Sequence, residues 1–365
     1  MVEKNQVRRL IQPLLCSSVA LVVALLICCD DGPTGPRDAP ADIVYFHTYG
    51  DAYNIRTYDI ATGAIDSAQV PLGSSSGLTI SADGSRLYIS GGTPTQVLDA
   101  HTFQPITALP FNSQGDDGVA VSPNNQYIAL CGNGLSILNQ DDYSIVFRDT
   151  GGYMHGTFSP DSRHFFASVG DANYRDVYHL DLNRNPLTPE RRPFGPYVWR
   201  VMPNYDASQW YVYVEYGEDA FQLQLYNVVR DSLAYRLWVA PGLGDMEVTF
   251  DSRYLFFSSI GNIFSGVPRP QAFFRLDLPN HFILDTIRTV AMRDQNNAPV
   301  TLSVDKLAFA PDGYHVIACG AFIVPQFAIY NLRTQVIDRC ITLTTHAFIV
   351  GVTSSSMKRE MGGRK

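Results

Sequence analysis

The chain has 365 residues, of which 17% are charged and 12% aromatic, with 28 glycines, 22 prolines and a formal charge of −8. This length and apolar content suffice for one large hydrophobic core and exclude a disordered chain, while the acidic excess argues against nucleic acid as a partner. Few charges beside many aromatic, Gly and Pro residues fit an exported β-protein.

At the N-terminus, Lys4, Arg8 and Arg9 precede an apolar stretch from Leu14 to Ile27, and Leu26-Ile27-Cys28-Cys29 leads into Asp30-Asp31-Gly32-Pro33. A basic start followed by a short apolar segment reads as a bacterial export signal over residues 1–28. The apolar segment falls short of the roughly 20 residues that a membrane-spanning helix needs. Its end resembles the lipobox of bacterial lipoproteins, with Leu26 three positions before Cys29, the candidate lipidated residue, although Cys28 stands where Gly, Ala or Ser is usual. An ordinary cleaved signal peptide and an uncleaved anchor are the alternatives. On the lipoprotein reading, several acyl chains hold the protein on a bacterial membrane, at its periplasmic or outer surface within the cell envelope. Residues 29–42, rich in Pro, Gly and Asp, then form a flexible tether. Removal of residues 1–28 leaves 24 basic and 34 acidic residues, a formal charge of −10.

The first β-rich run is Ile43-Val44-Tyr45-Phe46-His47. From there a doublet of a large hydrophobe and Asp or Asn recurs seven times: Tyr58-Asp59, Leu98-Asp99, Leu138-Asn139, Leu180-Asp181, Tyr226-Asn227, Leu276-Asp277 and Tyr330-Asn331. Each closes an apolar run, and an Asx side chain there bonds the following turn backbone and ends the strand. A second mark lies out of phase with the first, in Ala82-Asp83-Gly84, Pro123-Asn124-Asn125, Pro160-Asp161-Ser162, Tyr205-Asp206-Ala207, Phe250-Asp251-Ser252 and Pro311-Asp312-Gly313. Short apolar strands precede these turns and aromatic-rich strands follow them. The doublet spacing, about 40 to 54 residues, matches four-stranded propeller blades. The expected fold is therefore an all-β, seven-bladed propeller of four-stranded antiparallel blades. The N-terminus supplies three strands of the first blade, and the last apolar run, His346 to Val352, closes it and removes exposed sheet edges.

These motifs, above all Phe158-Ser159-Pro160-Asp161-Ser162 and Phe309-Ala310-Pro311-Asp312-Gly313, resemble the YVTN-type and WD-like seven-bladed propellers of bacteria. The resemblance covers residues 43–352, with a long insertion around Gly261 to Gln271 in the sixth blade. It implies a fold and leaves function open, because such propellers include scaffolds, lactonases and quinoprotein-like subunits.

Inner strands of a propeller line a central channel whose mouth is the usual binding surface. The equivalent position of each inner strand is Gly77, Gly118, His155, Trp199, Asp245, Lys306 and His346, with Asp117, Arg200 and Asp305 alongside. His155, Arg200, Asp245, Lys306 and His346 are thus the candidate mouth residues: histidines for acid–base work, cations for an anion. A wet channel lined by polar residues without a ligand is the competing reading. No metal and no cofactor are expected. His155 and His346 belong to nearly opposite blades, and neither a copper-cluster histidine pattern nor a haem-type Cys-x-x-Cys-His is present. Asp171, Asn173 and Asp176 lack the Gly and distal Glu of a Ca²⁺ loop. Ser81, Ser122 and Ser159 belong to the repeat turn, outside any nucleophile elbow. His101 and His164 read as surface residues.

Of the cysteines beyond the signal, Cys131 and Cys319 fall on different blades, and Cys319 and Cys340 lie two strands apart, beyond disulfide reach. Buried small hydrophobes are the best reading. Residues 353–365 form a disordered basic tail. Two functions fit. The preferred one is a non-catalytic module that binds a protein, peptide or glycan partner, with exposed aromatics such as Trp210, Tyr216 and Phe264 clustered on one face. The alternative is an enzyme resembling the lactonase propellers, acting on a small polar metabolite at the channel mouth.

Overall fold

The computed structural model describes residues 41–354 except 49–53, 61, 71–76, 92–93, 112, 114–117, 170–174, 218–219, 240–242, 250–251, 260–271, 279–282, 289–305, 311–314, 321–325, 335 and 343–346. Cys29, the signal, the tether up to residue 40, Phe264, the sixth-blade insertion, Asp171, Asn173, His346 and the tail from residue 355 lie outside the described residues.

The described residues form 28 strands in seven sheets of four, and no helix. Blade 1 has the order β28-β1-β2-β3, joining the last strand β28 (Ala347–Ser354) to β1 (Ala41–Thr48), β2 (Asn54–Asp59) and β3 (Ile65–Gln69). The others are sequential. Blade 2 holds β4 (Leu78–Ile80), β5 (Arg86–Ile89), β6 (Thr95–Asp99) and β7 (Pro105–Leu109), and blade 3 holds β8 (Val119–Val121), β9 (Tyr127–Cys131), β10 (Leu135–Asn139) and β11 (Ile145–Asp149). Blade 4 comprises β12 (Tyr153–Phe158), β13 (His164–Val169), β14 (Asp176–Asp181) and β15 (Glu190–Pro193); blade 5 comprises β16 (Tyr197–Pro203), β17 (Gln209–Gly217), β18 (Ala220–Asn227) and β19 (Ser232–Val239). Blade 6 is built from β20 (Leu243–Val248), β21 (Tyr254–Ser259), β22 (Ala272–Asp277) and β23 (Ile283–Arg288), and blade 7 from β24 (Lys306–Phe309), β25 (His315–Gly320), β26 (Gln326–Asn331) and β27 (Val336–Thr342).

All seven hydrophobe–Asx doublets end the third strand of their blade. The Asx oxygen accepts from the turn backbone, as in Asp59 Oδ1 from Thr62 N (2.9 Å), Asp99 Oδ1 from Thr102 N (2.7 Å), Asn139 Oδ1 from Asp141 N (2.8 Å) and Asn331 Oδ1 from Arg333 N (2.9 Å). Turns between first and second strands are held from within. Buried Ser81, Ser122 and Ser159 accept from the N–H of Arg86, Tyr127 and His164 at 2.9, 2.8 and 3.0 Å, and Asn204 and Thr249 do the same in blades 5 and 6. These serines are therefore structural. Successive turns also join one another: Asp83 N donates to Asn125 Oδ1, Asn124 N to Ser162 Oγ, Asp161 N to Tyr205 O and Tyr205 N to Ser252 Oγ. The acceptors Asn125, Ser162 and Ser252 each sit at φ between 54° and 63°, a left-handed conformation that small polar residues tolerate.

Packing repeats with the blades. Seven buried clusters occupy the seven gaps between neighbours, each drawing residues from two adjacent sheets. Between blades 7 and 1, for example, Val44, Phe46 and Tyr58 meet Ile317, Cys319, Phe327 and Ile329. The first strands β28, β4, β8, β12, β16, β20 and β24 touch in that cyclic order and form the inner ring. Cys131 is buried in the gap between blades 3 and 4 and Cys319 in that between blades 7 and 1, while β26 separates Cys319 from Cys340. The core is thus a cycle of interfaces in which a blade contributes both faces, which suits strands apolar on both sides.

Candidate functional site at the channel mouth

The inner strands begin on the face opposite the Ser-bearing turns; β28 carries a bulge at Val350, and the inner strands of three consecutive blades each bulge near their start. One extra residue is inserted between Met154 and Thr157 of β12, between Val198 and Arg200 of β16, and between Leu243 and Met246 of β20. Bulges bend a strand and re-aim its side chains. The re-aimed residues are His155, Trp199 with Arg200, and Asp245, which sit on consecutive blades. His155 has φ 49° and, among the described residues of positive φ other than glycine, is the one inside a strand. Its neighbour Gly156 has no room for a side chain: a Cβ there would lie 2.7 Å from Cys131 Sγ and 2.9 Å from the Phe165 ring.

Asp245 anchors the arc. Only 3% exposed, its carboxylate forms an ion pair with Arg200 of blade 5, accepts from Met246 N on its own strand (2.9 Å), and accepts from Leu307 N of blade 7 (2.9 Å). Its own N–H donates to Ser258 Oγ at 2.8 Å. One carboxylate therefore ties three blades, and three of its roughly four acceptor sites are used within the protein. Trp199 extends the arc toward blade 4. Its indole N–H donates to Glu215 Oε2 at 2.6 Å, and its ring lies 4.9 Å from Tyr197 and 6.3 Å from His155, centroid to centroid. Lys306, half-buried, precedes Leu307 at the start of β24. His155, Arg200, Asp245 and Lys306 thus lie along one arc of blades 4 to 7, whereas His346 lies outside the described residues.

The expected aromatic cluster needs correction. Trp210 is fully buried, between Phe166 at 5.0 Å and Tyr226 at 5.3 Å in the gap between blades 4 and 5, because the Asp206 turn feeds it directly into the second strand. Tyr216 is exposed, as expected, and Trp238 is its neighbour at 5.9 Å. A groove of about 540 Å³ lies at the rim, between β11 and the β14–β15 connection, lined among others by Phe147, Arg148, Leu182 and Leu187; no mouth residue lines it.

His164 is not mere surface decoration. Its Nδ1 lies 3.1 Å from Nε2 of His179, a residue that the sequence reading passed over. The second ring is buried, stacked on Phe166 at 4.8 Å and packed 5.0 Å from Trp210, with Glu190 Oε2 at 3.8 Å. Burial first, and then the neighbouring His164, push His179 down to about 4. The unfolded chain therefore holds this proton more readily between pH 6.5 and about 4, and stability is full above that window and declines through it as pH falls. Between about pH 7.5 and about pH 5 the expected loss from this group is on the order of 2 kcal/mol. Urea unfolding of the wild type and His179→Gln at both pH values measures it. A wild type no more acid-sensitive than the variant would remove the argument. Among the described residues no group of three His, Cys, Asp or Glu side chains is placed to hold a metal ion.

No protein-family model and no curated protein matches the chain. Solved structures do. Hydrazine synthase of Kuenenia stuttgartiensis superposes with a TM-score of 0.61 at 12% identity, over 80% of this chain and 98% of that one. A candidate 6-phosphogluconolactonase of Bacteroides uniformis gives 0.59 at 14%, over 85% and 100%, and the Cps50 (Swd1) β-propeller domain of Myceliophteria thermophila gives 0.58 at 13%, over 75% and 87%. At such identities the likeness is one of fold.

Proposed function

We propose that this chain is an exported β-propeller, held on a bacterial membrane through a lipid on Cys29, that binds a protein, peptide or glycan partner at the channel mouth and catalyses no reaction there. The observation that carries the binding reading is the arc of bulged inner strands. A histidine in the left-handed region and three successive bulges cost conformational energy, and such features cluster where a surface is shaped for a ligand. The state of Asp245 favours binding over catalysis. Its carboxylate is engaged by Arg200 and two backbone N–H groups, which leaves it poorly placed to take a proton from a substrate. Tyr197 and Trp199 add aromatic surface beside it, of the type that dominates interface cores.

A photo-crosslinking residue in place of Trp199, in cells, is expected to capture a discrete partner, and His155→Ala in the same background to lower the yield. Cys29→Ser is expected to move the protein from the membrane fraction to the soluble one. Capture of nothing, together with turnover of a lactone by the purified protein that His155→Ala abolishes, would replace this reading by the lactonase-like one. A membrane association unchanged in Cys29→Ser would remove the anchor.

A further inference from the structure

Among the described residues each blade ends in an outer strand with no further strand paired to its edge, and most of these strands carry devices that discourage pairing. Strand β7 begins with Pro105, and β15 is Glu190-Arg191-Arg192-Pro193. Charged residues interrupt β3 (Asp66), β11 (Arg148, Asp149), β23 (Asp285, Arg288) and β27 (Asp338, Arg339). Strand β19 differs. It has eight residues, more than any other outer strand, and Arg236 is its single charge in Ser-Leu-Ala-Tyr-Arg-Leu-Trp-Val. Its one irregularity falls in the first half, so Tyr235 to Val239 pair regularly with Leu225 to Phe221 and leave a straight outer edge. That edge is apolar and in water: Trp238 is 61% exposed and Tyr235 39%.

The segment Tyr235-Arg236-Leu237-Trp238-Val239 is complementary to itself when reversed. Antiparallel pairing of two copies about a twofold axis through Leu237 sets Arg236 opposite Trp238 of the second copy on one sheet face, twice over by symmetry, each a cation over an indole. On the other face it sets Tyr235 opposite Val239, an aromatic against a β-branched side chain. Shifting the axis by one residue to Arg236 would place two arginines opposite each other. Charge therefore disfavours that neighbouring register. Arg236 and Trp238 already share a face, because they pair with Gln224 and Gln222 of β18. Trp238 rests on Tyr216 at 5.9 Å, which holds one side of the indole.

We propose that β19 is a self-association edge, through which two copies of this chain join blade 5 to blade 5 in one continuous eight-stranded sheet. The surface is at the rim and uses none of the mouth residues, so the inference stands apart from the proposed binding function.

The test is Leu237→Cys in the full chain, oxidised mildly and run on a non-reducing gel beside the wild type. The axis brings the two introduced thiols together, and a disulfide-linked dimer is expected in Leu237→Cys above the wild-type level. Ser232→Cys, far from the axis on the same strand, is expected to stay largely monomeric. Adding Trp238→Glu to Leu237→Cys is expected to abolish the dimer while thermal unfolding shows the fold retained. If folded Leu237→Cys remains monomeric, if Ser232→Cys cross-links equally well, or if residue 237 links instead to a different protein, the self-pairing is wrong. Sedimentation of the unmodified wild type gives an independent reading: a concentration-dependent dimer supports the edge, and a monomer throughout overturns it.

Discussion

A chain ending at Thr345 is expected to lose cooperative folding. That truncation removes β28, which pairs with β1 in antiparallel register from Ala41–Ser354 to Thr48–Ala347 and takes the inner-ring place between β24 and β4. Its loss exposes the edge of β1 and leaves the inner faces of blades 7 and 2 without a neighbour. Outer strands can go without such damage; an inner strand cannot, because it contributes to the sheet and to the ring together. The domain's whole stability is of the order of 5–15 kcal/mol, and losing one ring strand consumes most of it. Circular dichroism and urea unfolding of the truncated chain are the measurement. A sharp transition at the wild-type midpoint would mean that β28 does not close the ring.

The second large effect concerns Asp245. Replacement by Ala removes the carboxylate that pairs with Arg200, itself 16% exposed, and that accepts from the Leu307 and Met246 N–H groups. Removing one partner of a buried ion pair costs about 3–5 kcal/mol, since the remaining charge stays desolvated. Asp245→Ala is therefore expected to shift the urea midpoint strongly. The double variant Arg200→Met/Asp245→Leu is expected to recover only the part of that loss due to the uncompensated guanidinium, because the Met246 and Leu307 N–H groups both still lack their acceptor, at about 1–3 kcal/mol each. A mild effect of Asp245→Ala would show that Arg200 swings out to water, and that the tie across three blades is weak.

The Asx doublets mark the third-strand ends because a side-chain oxygen bonding its own turn acts within a few residues, so it leaves its trace in local sequence. The Ser-containing turns are legible for the same reason. Side-chain placement at the mouth was legible only in part. Alignment by strand position put His155, Trp199, Asp245 and Lys306 at one level, yet the bulges that aim the first three leave no motif, since an inserted residue in a strand resembles any other strand residue. Nor does sequence hint that Asp245 bonds Leu307, 62 residues away, or that Glu215 receives the Trp199 indole.

Trp210 and His179 show the same limit from the core side. Trp210, after a turn, reads as an exposed aromatic, and His179, inside a strand, carries no mark at all until blade 5 is laid against blade 4, when Phe166, His179 and Trp210 pack together in the gap between them. By itself the sequence determined the all-β class, the number of blades and the ends of the third strands, because repeated local hydrogen bonding and period-two patterning write those directly into adjacent residues. Only the tertiary structure decided which aromatic residues are covered, which charge is matched and which outer edge is left bare, because each depends on a neighbouring blade about 40 or more residues distant along the chain.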